Sequence, residues 1–282
     1  MTLSLFKNAL KRLFRRNTYI KGTLTFIAKS RVYKIPIAPI GWVRMFREIN
    51  GANKATNQVF FKEMVVPIKL YFGFLAVSKR KTTLTNEEQL LNFEQTVTKT
   101  ALSIFRHPKV NPSEIIKFDW LQHHPDWQSK NPEIPFIDLH KIPLSPQHGD
   151  LKPGNAVLFN KSIKLIDWEL YRERGSFLLD YVDYRFRMTF SEKGQNLENY
   201  IKWIRAVDEQ IENVLKGTDI KQSWLKSVFL LDRCQRTMHR LCMDSVWGRV
   251  NAKSDFYKDN LQRIKLRLLS AKEMLSELKN ER

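Results

Sequence analysis

Asp150, Asn155 and Asp167 are the side chains of this sequence whose types and order suit a definite chemistry. They fall in one stretch, Gln147–Asp167, which reads QHGDLKPGNAVLFNKSIKLID. Moving a phosphoryl group from a nucleotide to a hydroxyl calls for a carboxylate beside the acceptor, an amide oxygen on a magnesium ion and a second carboxylate on the same ion. Asp150, Asn155 and Asp167 supply those groups in that order. Asp150 and Asn155 share a tight loop containing Pro153 and Gly154. Ala156–Phe159 then reads as a strand, Asn160–Ser162 as its turn and Ile163–Ile166 as the return strand, which would bring Asp167 back beside Asn155.

HGDLKPGN followed by IDWE resembles the catalytic loop and metal-binding segment of the aminoglycoside phosphotransferase/choline kinase-like superfamily. It also resembles the protein-kinase pattern, with Gly149 where that family usually has Arg. The resemblance covers this stretch strongly and the rest of the chain weakly. It implies an α+β, two-lobed protein kinase-like fold, with a small antiparallel-sheet N-lobe and a larger, mainly helical C-lobe. It implies ATP and Mg²⁺ as cofactors, Asp150 as the catalytic base, and Asn155 and Asp167 as metal ligands. By the same resemblance Lys152 touches the transferring phosphate, the alternative being a solvated loop lysine. Lys34 in VYKIPI resembles the strand lysine that contacts the nucleotide phosphates, and Glu48 its helix partner, with Arg44 and Arg47 as competing partners for Glu48. After Asp167 the protein-kinase pattern ends: DWE replaces DFG, no APE follows, and GSFLLDYVDY comes almost at once. That run resembles bacterial phosphotransferases acting on small molecules or sugars, with Asp180 bracing the fold. Glu169 is placed either in a water-mediated metal contact or in a pair with Arg172 or Arg174.

These residues need elements to hold them. Residues 1–18 form a basic amphipathic segment, 19–82 a nucleotide-binding N-lobe and 83–282 a catalytic and acceptor-binding C-lobe. Strands are expected in Tyr19–Ile37 and in the runs EMVVPIKLYF and GFLAVSK, with a hinge around Ser78–Thr83. Only Gly22 lies where a glycine-rich phosphate loop would be, so Gly22–Lys29 stands as the nucleotide lid. Asn86–Phe105 reads as a helix with Leu90, Leu91, Phe93, Val97 and Leu102 on its apolar stripe. Helices are also expected over Asn196–Leu215, Lys221–Val246 and Ser254–Asn280. His148 braces the catalytic loop. The segment holding His107, His123, His124 and His140 reads as packing or an acceptor-recognition insert, because no carboxylate or cysteine sits at ligand spacing.

Charge bears on the partner. The 282 residues carry 48 Lys and Arg against 29 Asp and Glu, a net charge of +19, and 43% hydrophobic residues argue against disorder. No Asp or Glu precedes Glu48, while eleven Lys and Arg do. Met1–Asn17 suits an anionic membrane surface, or else packs as a first helix with a solvated basic face. Two cysteines, Cys234 and Cys242, offer no metal spacing and suggest a reducing compartment. No apolar run is long enough to span a bilayer. Arg233, Arg236, His239, Arg240 and Arg249 cluster near Trp247 and suggest a cationic face for an anionic acceptor. The leading expectation is a cytoplasmic kinase, peripheral on the inner membrane, phosphorylating a hydroxyl of an anionic sugar or glycolipid in lipopolysaccharide or surface-glycan biosynthesis. A pseudokinase-type binding module and an aminoglycoside/choline-type small-molecule kinase are the alternatives. A nucleic-acid-binding role ranks below them, since no aromatic-basic recognition motif is present.

Overall fold

A computed structural model describes residues 22–27, 31–79, 82–84, 86–117, 134, 137–159, 162–192, 194–246 and 255–280. The basic segment 1–18, His123, His124, Trp247 and Arg249 lie outside the described residues, as do parts of the expected lid and hinge. The chain forms two compact units, one of Met1–Glu94 with His148–Glu173 and the other of Gln95–Gln147 with Arg174–Arg282.

The first unit is built on a four-stranded antiparallel sheet of β1 (Thr23–Ile27), β2 (Arg31–Pro36), β3 (Ile68–Tyr71) and β4 (Leu75–Lys79), in the order β1-β2-β4-β3. Helix α1 (Pro39–Asn57) begins with Pro at its first position, where the missing N–H costs nothing. Its Met45 and Ile49 pack on Ala76 and Ile68, which fixes the helix to the sheet. The expected strand EMVVPIKLYF is shorter than its apolar run. Lys62–Met64 forms a 3₁₀ turn, and Val65 bridges Leu165 instead of joining the sheet. A second antiparallel group joins β5 (Thr82–Thr83), β9 (Ala156–Phe159) and β10 (Ser162–Leu165) in the order β10-β9-β5. Its register pairs Ala156 with Leu165 and Val157 with Lys164.

Helix α2 (Glu87–Ser103) is capped by Asn86, which accepts from Gln89 N at 2.8 Å. Its buried stripe is Phe93, Val97 and Ala101, continuing to Ile104 in the next turn. Leu90, Leu91 and Leu102 are exposed, contrary to expectation. Leu91 and Leu102 lie on the side of the helix opposite that stripe, while Leu90 shares its side but sits in the exposed first turn.

The second unit is mainly helical. It contains the short pair β6 (Lys109–Val110) and β7 (Ile142–Pro143), the turn α3 (Pro112–Ile115) and the strand β8 (Ser145–Gln147). Beyond β11 (Arg172–Gly175) come α4 (Phe177–Thr189), α5 (Leu197–Arg205), α6 (Glu209–Leu215), α7 (Gln222–Val246) and α8 (Asp255–Asn280). The single helix expected over Asn196–Leu215 is two. Asp208 accepts hydrogen bonds from Gln210 N and Ile211 N, and this cap starts a new helix. Lys226 Nζ donates to the carbonyls of Trp203 and Ala206, closing the end of α5. The core is apolar and aromatic, with Phe186 5.4 Å from Phe229 and 4.8 Å from Trp203 between ring centres. The antiparallel sheets of one unit and the helices of the other give the expected α+β class.

Arg233 and Arg236 do not form an anion-facing surface. Arg236 is buried and Arg233 largely so, Arg233 Nη1 lying 2.5 Å from Asp183 Oδ1 and Arg236 Nη1 3.0 Å from Asp183 Oδ2. Arg187 also binds Asp183, while Arg233 and Arg267 share Glu192. Helical spacing places cations on one face but does not say whether that face meets water or carboxylates. Asp180 is buried as well, its charge adding to the field that holds Arg236 protonated.

Candidate active site

The three residues that open the sequence argument are held by one loop and one hairpin. Asp150 is buried at the head of the loop, which crosses Pro153–Asn155 as a 3₁₀ turn. Asn155 turns its amide back on the loop: Nδ2 donates to the Asp150 carbonyl at 2.9 Å and to Asp150 Oδ2 at 3.0 Å. Those two bonds fix the amide's orientation and direct Oδ1 elsewhere. Lys152 Nζ lies 2.6 Å from the same Oδ2, so a cation and an amide both hold one carboxylate oxygen. The β9–β10 register continues into a hydrogen bond from Ile166 N to the Asn155 carbonyl at 2.9 Å. Asp167 therefore follows directly beside Asn155.

Asp167 has a left-handed backbone, φ 66° and ψ 55°, one of two such non-glycine residues among those described. Such strain persists only where the surroundings impose it. Here the imposing group is Trp168, buried with its ring 5.1 Å from Phe61 and 4.5 Å from His148. Trp168 Nε1 also donates to Leu165 O at 3.1 Å. The tryptophan of DWE is thus a core anchor that turns the chain at Asp167.

His148 ties both halves of the site together. Its Nδ1 accepts from Asp150 N at 3.3 Å, which leaves the proton on Nε2 to donate to Ile166 O at 3.0 Å. Burial lowers its pKa from the ordinary 6.5, against the opposing pull of Asp150 and Asp167. The ring is neutral and braces the loop.

Gly149 explains the departure from the protein-kinase pattern. Its φ is +86°, and a Cβ there would stand 2.5 Å from Leu170 O. An arginine would meet both the backbone and the turn that follows Trp168.

Lys34 and Glu48 meet across the β2–α1 connection. Lys34 Nζ lies 2.7 Å from Glu48 Oε1 and 2.5 Å from Oε2, and Glu48 is buried while Lys34 is partly open. Arg44 is drawn instead to Glu169, with Nε 3.6 Å from Oε1. This pair joins α1 to the turn after Asp167. Sequence reasoning missed that link, and also Gly51, one turn beyond Glu48. A Cβ at Gly51 would stand 2.2 Å from Trp168 O, so α1 packs on this segment backbone to backbone. A glycine inside an otherwise good helix was the available signal. Gly22, the single glycine of the expected lid, is buried, and its carbonyl accepts from Ile37 N at 2.9 Å. It serves the sheet–helix corner.

The donor set fits a hard cation. Asn155 Oδ1 and the Asp167 carboxylate have no hydrogen-bond or ion-pair partner among the described residues, and both are oxygen donors of the kind magnesium takes alongside phosphate oxygens.

No protein-family model matches the chain, and no curated protein matches it by sequence. Solved structures do match in fold. The choline kinase of Streptococcus pneumoniae superposes with a TM-score of 0.52 at 15% identity, over 88% of this chain and 90% of that one. A choline/ethanolamine kinase family protein from Mesorhizobium loti gives 0.48 at 14% identity, over 96% and 98%. A thermostable mutant of an aminoglycoside phosphotransferase gives 0.47 at 12% identity, over 89% and 90%. The fold of this chain is similar to that of this choline kinase.

Proposed function

We propose that this chain is an ATP- and Mg²⁺-dependent phosphotransferase acting on a hydroxyl of a small acceptor. The observation that carries the reading is the joint placement of Asp150, Lys152 and Asn155 in one loop, with Asp167 delivered beside them by the β9–β10 hairpin. Asp150 orients the acceptor hydroxyl and takes its proton as the oxygen attacks the γ-phosphorus and the bond to the bridging oxygen breaks, releasing ADP. Lys152 and the Asn155 amide hold the carboxylate in place. Asn155 Oδ1 and Asp167 would hold Mg²⁺, which would supply positive charge to offset that of the nucleotide phosphates. Lys34, fixed by Glu48, contributes a cation for the nucleotide phosphates.

For the acceptor we favour an anionic sugar or glycolipid, such as a lipopolysaccharide or surface-glycan component met at a membrane face. The support is the net charge of +19, which suits an anion better than a cationic choline or aminoglycoside. Arg233 and Arg236, both paired with Asp183, add nothing to that support. Among the described residues no helix is long and apolar enough to cross a membrane, so such contact would be peripheral.

The test is phosphate transfer from labelled ATP with Mg²⁺, against a panel of anionic sugars, lipid-linked glycans, choline, ethanolamine and aminoglycosides. Asp150→Asn should lower turnover by roughly 10²–10⁴-fold, the usual contribution of a positioned base. Turnover that survives the substitution unchanged would overturn the assignment of Asp150. Nucleotide binding without any turnover would favour a binding module.

A further inference from the structure

Phe72 stands at the tip of the β3–β4 hairpin with 85% of its surface exposed. Its flanking residues Leu70, Tyr71 and Phe74 are exposed too, and the Phe72 and Phe74 rings lie 6.3 Å apart. Scattered single apolar residues are ordinary on a surface, but a contiguous aromatic tip is not. The backbone makes it more unusual. Phe74 N bonds to Tyr71 O, and φ is +52° at Phe72 and +72° at Gly73. Positive φ at both central positions is the type I′ pattern, in which the first position favours Asn, Asp or Gly. A bulky aromatic there is strained and gains no burial within the described residues.

Lys69 is exposed on β3. The register pairs Tyr71 with Leu75, Ala76 with Lys34 and Pro36 with Thr23, so β1 begins at the hairpin's end of the sheet. The chain enters there at Gly22, after 21 residues that carry six Lys and Arg and no Asp or Glu. An apolar tip beside positive charge matches a surface that is negative outside and apolar beneath. A second copy of this chain matches it poorly, because two bodies at +19 repel.

We propose that the hairpin tip Tyr71–Phe74 docks on an anionic lipid bilayer, seating its rings at the headgroup level while neighbouring cations face the lipid phosphates. This goes beyond the phosphotransfer reading and does not depend on it. The experiment is co-sedimentation of the full chain with vesicles of phosphatidylglycerol and phosphatidylcholine, and with phosphatidylcholine alone. Wild type should bind the anionic vesicles about tenfold or more tightly than the neutral ones. Phe72→Asn should weaken anionic binding by about tenfold while melting at the same or a higher temperature, since Asn-Gly suits this turn. Phe74→Ser should weaken it in the same direction. Wild type that fails to bind anionic vesicles would overturn the proposal. So would Phe72→Asn and Phe74→Ser binding as wild type does, or sedimentation velocity showing a lipid-free dimer that Phe72→Asn dissolves.

Discussion

Gly149 is the residue on which the loop geometry turns. Its positive φ costs an L-residue about 1–2 kcal/mol, and a Cβ would also press on the backbone oxygen of Leu170. Gly149→Ala should therefore destabilise by roughly 2 kcal/mol or more, seen as a fall of about 4–8 °C in melting temperature for a chain of this size. Turnover should fall with it, because Asp150 is the next residue. Gly154 in the same loop is the control: it has no positive φ, and a Cβ would meet nothing within 4 Å. Gly154→Ala should leave both readouts near wild type. Equal tolerance at the two positions would remove the strain account. At this scale the sequence was informative where chemistry restricts residue type. A base, an amide and a carboxylate in order are legible because few other residues do those jobs. The Arg44–Glu169 pair was not legible, since any of several charges nearby in sequence was an equally good partner for either residue.

Elements were legible where periodicity was long and where turns carried their own chemistry. The β9–β10 hairpin was expected within one residue of its observed bounds, and α7 and α8 likewise. The break between α5 and α6 was not, because apolar spacing ran through it while a single aspartate cap ended the continuity. Nor did composition reveal that α1 touches the segment after Asp167, since that contact is made by an absent side chain. Gly51→Ala tests it. In an isolated helix the change would stabilise by about 1 kcal/mol. Here the added methyl meets Trp168 O, so the helix or the turn must move. The expected outcome is a lower melting temperature together with reduced turnover, because α1 carries Glu48 and the displaced turn follows Asp167. A variant that is more stable and fully active would show that the two segments do not pack as closely as described.

Over the whole molecule the charge excess and the buried charges are separate matters. The mainly helical unit holds a network of paired charges in which Asp183 meets Arg187, Arg233 and Arg236, and Glu192 meets Arg233 and Arg267. Burial raises both carboxyl pKa values, but the surrounding guanidinium groups overcome it. Asp183 is held well below the ordinary carboxylate range, and Glu192 falls to about 2. With folded values below the unfolded ones, the stabilisation is fully present above the ordinary Glu value of 4.5. It is lost as pH falls through the folded values, because the unfolded chain then binds more protons. Melting temperature should thus hold near neutrality and drop steeply below about pH 4. Asp183→Asn should cost about 3–5 kcal/mol at pH 7, since it leaves buried arginines without their carboxylate. The variant's acid limb should be shallower than that of wild type, because one of the titrating groups is gone. Parallel acid limbs in the two proteins would mean that acid unfolding starts elsewhere, and would detach Asp183 from the pH dependence of this fold.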